Sequence, residues 1–162
     1  MDALIRDVLR EKGTDVQGVP PDLTVYHAVE RMNRMRIGSL LVHDERRLLG
    51  ILSDRDVLIR VVTADLNPRE TRVGEVMTKT ISTASPDDRV TDVLGLMTRR
   101  RIRHVPVVST GRVVGLVSLG DLTKCVTDCL RREVDDLSTY ITSPYALNPQ
   151  SRLIIGSGDL VG

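Results

Sequence analysis

With 162 residues, the chain is the size of one ordinary domain, or of two half-sized units sharing a core. Its 23 basic and 22 acidic side chains nearly cancel, which excludes a global field aimed at a polyanionic partner. Phe and Trp are absent and Tyr occurs three times, so the core is aliphatic and the platforms that stack unpaired bases are missing.

In chain order, Met1 to Arg10 is a short helical pattern carrying acids, unlike a secretory leader. An extended segment, "QGVPPD", opens the first repeating unit. Val25, Ala28, Val29, Met32 and Met35 then recur at helical spacing. Two apolar strands follow, "SLLVH" and "RLLGIL", around the polar turn "DERR". Ser53 stands at the N-cap of a second helix, with Asp56 at its third position. Residues 63–75 form a linker with Asn67-Pro68 as its turn.

The same order then recurs. "ISTASPDD" precedes a helix bearing Val90, Val93, Leu94 and Met97, and "HVPVV" and "RVVGLV" are strands around "STG". Ser118 and Asp121 repeat the cap. A shift of 65 positions aligns residues 21–57 with 86–122 without a gap, pairing Gly50 with Gly115, Ser53 with Ser118 and Asp56 with Asp121. The order is β-α-β-β-α twice, an α/β architecture whose two thin cores are expected to pack as one domain. The repeats span residues 1–62 and 76–127. A C-terminal helical extension covers 128–142, with Val126, Leu130, Val134, Leu137 and Ile141 in one stripe; Ser143-Pro144 stops it. The tail 143–162 is expected to be disordered or to pair with another chain.

The Gly-x-x-Ser-x-x-Asp frame has two readings. In the structural one, Gly admits close approach, Ser caps the helix and Asp favours its dipole. In the functional one, the helix N-terminus and hydroxyl face an anion while the carboxylate accepts both hydroxyls of a ribose. Gly then clears the way for ligand. The run "RRRIRH" ends a helix, where cations offset the dipole, and gives little support to nucleic acid. His27, His43 and His104 lie in separate segments, no nucleophile elbow exists, and Cys125 and Cys129 lack a second ligand pair. Neither an enzyme nor a metal site is expected. No apolar run reaches the roughly 18–20 residues of a membrane helix. The thiols suit the reducing cytoplasm, so a cytoplasmic location outside the membrane is expected.

The doubled pattern with "GILSDRD", "RIRHVPVV" and "GLVSLGD" resembles a pair of cystathionine-β-synthase (CBS) domains. "DVL" and "EVM" entering the units, the Pro-Asp starts and "MRIGSLLV" belong to the same likeness, which covers residues 8 to 123 or so. It implies two repeats related by pseudo-two-fold symmetry. It also implies a regulatory module that binds AMP, ADP, ATP or NAD in clefts between the repeats. The alternatives are an S-adenosylmethionine binder or a dimerisation module with vestigial clefts. Carried over residue by residue, one cleft takes Ser53, Arg55, Asp56, Thr80, Ile81, Thr83, Ile102, Arg103 and His104. The other takes Val16, Gly18, Ile37, Gly38, Ser39, Ser118, Gly120 and Asp121. Because Arg103-His104 face Gly38-Ser39 in the alignment, and Arg55 faces Gly120, the Asp56 cleft is expected to hold a charged tail better. The resemblance and the apolar helix faces imply a homodimer, with a regulated partner protein still to be identified.

Overall fold

The computed structural model describes residues 3–44 and 47–142, with side chains as far as Ser138. The expected tail lies outside the described residues. The chain divides into two units, Met1–Val126 and Thr127–Gly162, each described by itself.

The first unit begins with α1 (Ile5–Lys12), β1 (Gly18–Val19), α2 (Val25–Met35), β2 (Ser39–His43) and β3 (Leu48–Ser53). Next, α3 (Asp54–Val57) runs into a π-helical turn, Leu58–Val62. Then come α4 (Val73–Val76), α5 (Val90–Arg100), β4 (His104–Ser109) and β5 (Arg112–Ser118). The last helix, α6, is Leu119–Thr142, and the first unit holds its start. In the second unit, the rest of α6 exposes Leu130, Val134 and Leu137, and it ends directly before Ser143-Pro144.

Helix spacing in the sequence becomes burial in the fold. α2 buries Val25, Ala28 and Met32; α5 buries Val90, Val93 and Met97. Each helix is closed by an arginine in the left-handed region, Arg36 or Arg101, both at φ 53°. The next amide bonds back to Met32 O or Met97 O at 3.0 Å, the closing bond of a Schellman turn.

β1 runs parallel to β2, and β3 antiparallel to it, in one sheet; β4 and β5 form an antiparallel pair. The first strand of the second repeat shrinks to a parallel bridge between Ala84 and Val107. Pro106 is the reason. At the matching place in the first repeat the Leu41 amide donates to Gln17 O at 3.0 Å, and proline has no amide hydrogen to do so.

Two aliphatic cores result, and the entry helices cross between them. α1 opens the first repeat yet buries Ile5, Val8 and Leu9 among Val93, Met97, Val105 and Leu122 of the second. α4 precedes the second repeat yet buries Val73 and Val76 among Val25, Met32, Leu40 and Leu52 of the first. The docking bonds match in kind: Ile5 N to Asp88 O at 3.0 Å answers Val73 N to Leu23 O at 2.9 Å, and Arg6 N to Pro86 O at 2.9 Å answers Gly74 N to Pro21 O at 2.8 Å. Each repeat in sequence thus lends its entry helix to the other repeat's core.

The frame glycines serve this crossing. A Cβ on Gly50 would stand 2.6 Å from Met77 Sδ and 2.8 Å from Thr78 O; one on Gly115 would stand 2.5 Å from Leu9 Cδ2. They admit the segments of the crossing entry helices, which is the close approach of the structural reading.

Candidate functional site

Both frames fold as capping boxes. At the first, Asp56 N donates to Ser53 Oγ at 3.2 Å, and Ser53 N donates to Asp56 Oδ2 at 2.9 Å. At the second, Asp121 N donates to Ser118 Oγ at 3.2 Å, and Ser118 N donates to Asp121 Oδ2 at 2.7 Å. In each, the serine hydroxyl also donates to that same Oδ2, at 2.6 and 2.7 Å. The cap therefore engages one carboxylate oxygen and leaves Oδ1 for other partners.

Around the first box lies a cavity of about 230 Å³, lined by Ser53, Arg55, Asp56, Thr78 and Arg60 on one side and by Arg101, Ile102, Arg103 and His104 on the other. Ile51 and Ile59 supply its apolar wall. Asp56 Oδ1 accepts from Thr78 Oγ1 at 2.9 Å and pairs with Arg60 Nη2 at 3.4 Å. Arg60 also donates to Val76 O at 2.7 Å, so the π-helical turn is tied to the end of α4 beside the carboxylate. Arg103 Nη2 donates to Asp54 Oδ1 at 2.6 Å across the gap between the repeats. Burial, and then the charge of Arg103, push the His104 imidazole below its ordinary pKa against the pull of Asp54. Arg55, Arg101, Ile102 and Arg103 also line an adjoining hollow of about 310 Å³ with Met97, Thr98 and Leu119.

The second frame is built differently. Lys12, the last residue of α1, donates to Asp121 Oδ2 at 2.5 Å and to Leu116 O at 3.1 Å. Burial pushes the Asp121 carboxyl up, but Lys12 and Ser118 outweigh it and hold the group below the ordinary carboxylate value. The space beside Asp121, about 170 Å³, is lined by Val8, Glu11, Lys12, Lys124 and Cys125. Val16 and Gly18 line a separate hollow of about 320 Å³ with Leu41, His43 and Arg112. Ile37, Gly38, Ser39, Ser118 and Gly120 line neither. Gly38 instead abuts His104, whose Cε1 would lie 3.3 Å from a Cβ placed there. Ser39 Oγ is buried and, among the described residues, has no hydrogen-bond partner.

The first cavity therefore brings together Ser53, Arg55, Asp56, Ile102, Arg103 and His104. Thr80, Ile81 and Thr83 stand outside its lining. Thr78 takes the place by β3, because Ile51 N to Thr78 O (3.0 Å) and Thr78 N to Ile51 O (2.9 Å) fix the strand-like contact two residues earlier. Sequence reasoning missed Thr78, Arg60 and Arg101. Arg60 carried a signal, since it lies four residues beyond Asp56 on a helical turn. Arg101 was hidden in an arginine run that reads equally well as a solvated helix end.

The sequence profile of the CBS domain matches residues 5–63 and 73–128. The chain is 34% identical over 150 residues to the "CBS domain-containing protein CBSX3, mitochondrial" of Arabidopsis thaliana, covering 87% of this chain and 73% of that one. It spans 23% and 20% of the length of two longer relatives from the same plant. Among solved structures, the CBS-domain protein NE2398 superposes with TM-score 0.75 at 35% identity, covering 78% of this chain and 99% of that one. A hexameric CBS-CP12 protein from bloom-forming cyanobacteria gives TM-score 0.66 at 25% identity, over 75% and 69% of the two chains. With two family matches in register on the two repeats, and the fold shared with solved members, the chain belongs to the CBS-domain family as a tandem pair, a generally regulatory module.

Proposed function

We propose that this CBS pair is a sensor for adenine nucleotides, taking AMP, ADP, ATP or an NAD-type ligand in the Asp56 cleft. The observation that carries the reading is the cavity of about 230 Å³ with a capped helix start and carboxylate on one repeat and Arg103 and His104 on the other. Asp56 Oδ1 faces a ribose, and Ser53 and the arginines face phosphate. The base rests against the aliphatic wall of Ile51, Ile59 and Ile102. The volume suits a ribose phosphate, being below the roughly 300–1,000 Å³ of pockets for drug-sized ligands. Longer polyphosphates extend along Arg55 and Arg101 into the adjoining hollow. The same arginines disfavour S-adenosylmethionine, whose sulfonium is cationic.

A nucleotide bridging Asp56 and Arg103 would compete with the Arg60–Asp56 and Arg103–Asp54 pairs. Ligand would thereby change how the repeats are held together, and this is the signal a partner protein would read. The competing reading, a dimerisation module with vestigial clefts, draws on the same cap, since Oδ2 of Asp56 is engaged without any ligand. Melting against a nucleotide panel decides between them. Ligand at about 100 times its dissociation constant adds roughly 2.7 kcal/mol of stability. Arg103→Ala should weaken AMP about tenfold or more while leaving adenosine nearly unchanged, because it removes a charge-assisted phosphate contact. No shift with AMP, ADP, ATP or NAD at millimolar concentration would leave the dimerisation module standing.

A further inference from the structure

We infer that Lys12 is a built-in occupant of the second cleft, and that it limits the chain to one nucleotide until it is displaced. The inference rests on the nucleotide reading of the first cleft. Pseudo-symmetry places Asp121 where Asp56 stands, so a second ribose site is the default. Its carboxylate, however, already holds an ammonium at 2.5 Å, and the same ammonium donates to Leu116 O at 3.1 Å on β5. Leu116 matches Ile51, an apolar wall of the first cavity, so Lys12, bound to the cap oxygen Oδ2, lies between the carboxylate and the strand against which a base would rest, and its charge faces a ligand approaching Oδ1.

The counterpart contact at the first cleft is weaker in charge. There a neutral hydroxyl, Thr78 Oγ1, approaches Asp56 at 2.9 Å, and Arg60 stands at 3.4 Å while bonding Val76 O. At Asp56 a ligand competes with a hydroxyl and a longer ion pair at 3.4 Å; at Asp121 it must separate a direct ion pair at 2.5 Å. The repeat's matching strand position also differs. Strand alternation sets Ser39 on the face of Leu41, opposite the core residues Leu40 and Val42, and its buried hydroxyl has no partner among the described residues.

Lys12 could instead be a phosphate-binding cation, and the two roles predict opposite results. Titration calorimetry with AMP on the full chain separates them. The wild type should bind one AMP per chain. Lys12→Ala and Lys12→Met, the second keeping the side-chain stem that packs by α6, should each bind two, with the new event at least tenfold tighter than any second event in the wild type. Asp121→Asn added to Lys12→Met should remove the new event and leave the first. Two AMP per wild-type chain, or one in both Lys12 variants when circular dichroism matches the wild type, would overturn the lock and leave the first cleft's function intact. Loss of AMP affinity in the Lys12 variants would make Lys12 a phosphate ligand instead. Absence of AMP binding in every protein would remove the nucleotide reading and the lock together.

Discussion

His104 lines the first cleft but feels charges from both: Arg103 and Asp54 from the first, Lys12 and Asp121 from the second. Burial is the largest influence and holds the ring neutral, with its pKa lowered from the ordinary value of about 6.5. As pH falls through that value, the unfolded chain takes up the proton before the folded one does, so stability is lost below it and is full above it. The melting temperature should therefore drop more steeply between pH 7.5 and 5.5 for the wild type than for His104→Gln. Parallel curves would show that burial of His104 carries no linkage. Asp121 has the same sign in a lower window: its lowered pKa adds stability that is full above the ordinary carboxylate pKa and is lost as pH falls through the carboxylate range. At this scale Ser53, Asp56, Arg103 and His104 were legible, because a hydroxyl and a carboxylate three apart after an apolar strand admit few other geometries. Thr78 was not, since its place at Asp56 depends on a backbone register with Ile51 that no side-chain pattern encodes. Nor was Lys12, which meets Asp121 only after α1 has crossed to the other repeat.

Among the elements, the two frame glycines look identical in sequence but are under different pressure. A methyl on Gly50 would meet the backbone carbonyl of Thr78 at 2.8 Å, and a carbonyl locked to β3 on both sides of its residue cannot retreat. At Gly115 the nearest atoms are the branched end of Leu9, which can change rotamer. Gly50→Ala should cost about 1–3 kcal/mol and Gly115→Ala less than about 1 kcal/mol, read from urea midpoints. An equal or reversed order would refute the argument. The helices were legible here because three buried positions on α2 recur on α5. The shortened first strand of the second repeat was written in Pro106, but reading it required knowing which amide the parallel pairing uses. The π-helical turn Leu58–Val62 had no counterpart in the spacing of its residues.

Across the described residues, the most exposed large apolar groups cluster as Leu58, Ile59, Val62 and Leu66 in the first unit, and Leu130, Val134 and Leu137 in the second, above the less exposed Val29, Met35 and Leu119. Leu58 is 59% exposed and Val62 63%, more than a soluble monomer usually leaves adjacent. We propose that these faces join two copies of the chain. Light scattering at tens of micromolar should give a dimer, and a chain ending at Thr127 should dissociate more readily. A monomeric full-length protein would end the idea. Duplication made the two-repeat plan plain from sequence, yet the crossing of α1 and α4 was illegible. Both repeats offer similar aliphatic faces, and chain connection rather than side-chain type decides which helix reaches which. That crossing has a consequence during synthesis. The first repeat can close its core once Met77 has been made, whereas Ile5, Val8 and Leu9 wait for Leu122, roughly 115 residues after Ile5. At about 5–20 residues per second the wait is about 6–23 s. The α1 helix thus leaves the ribosome long before its partners exist, and its apolar face stays within reach of a holding chaperone throughout that interval.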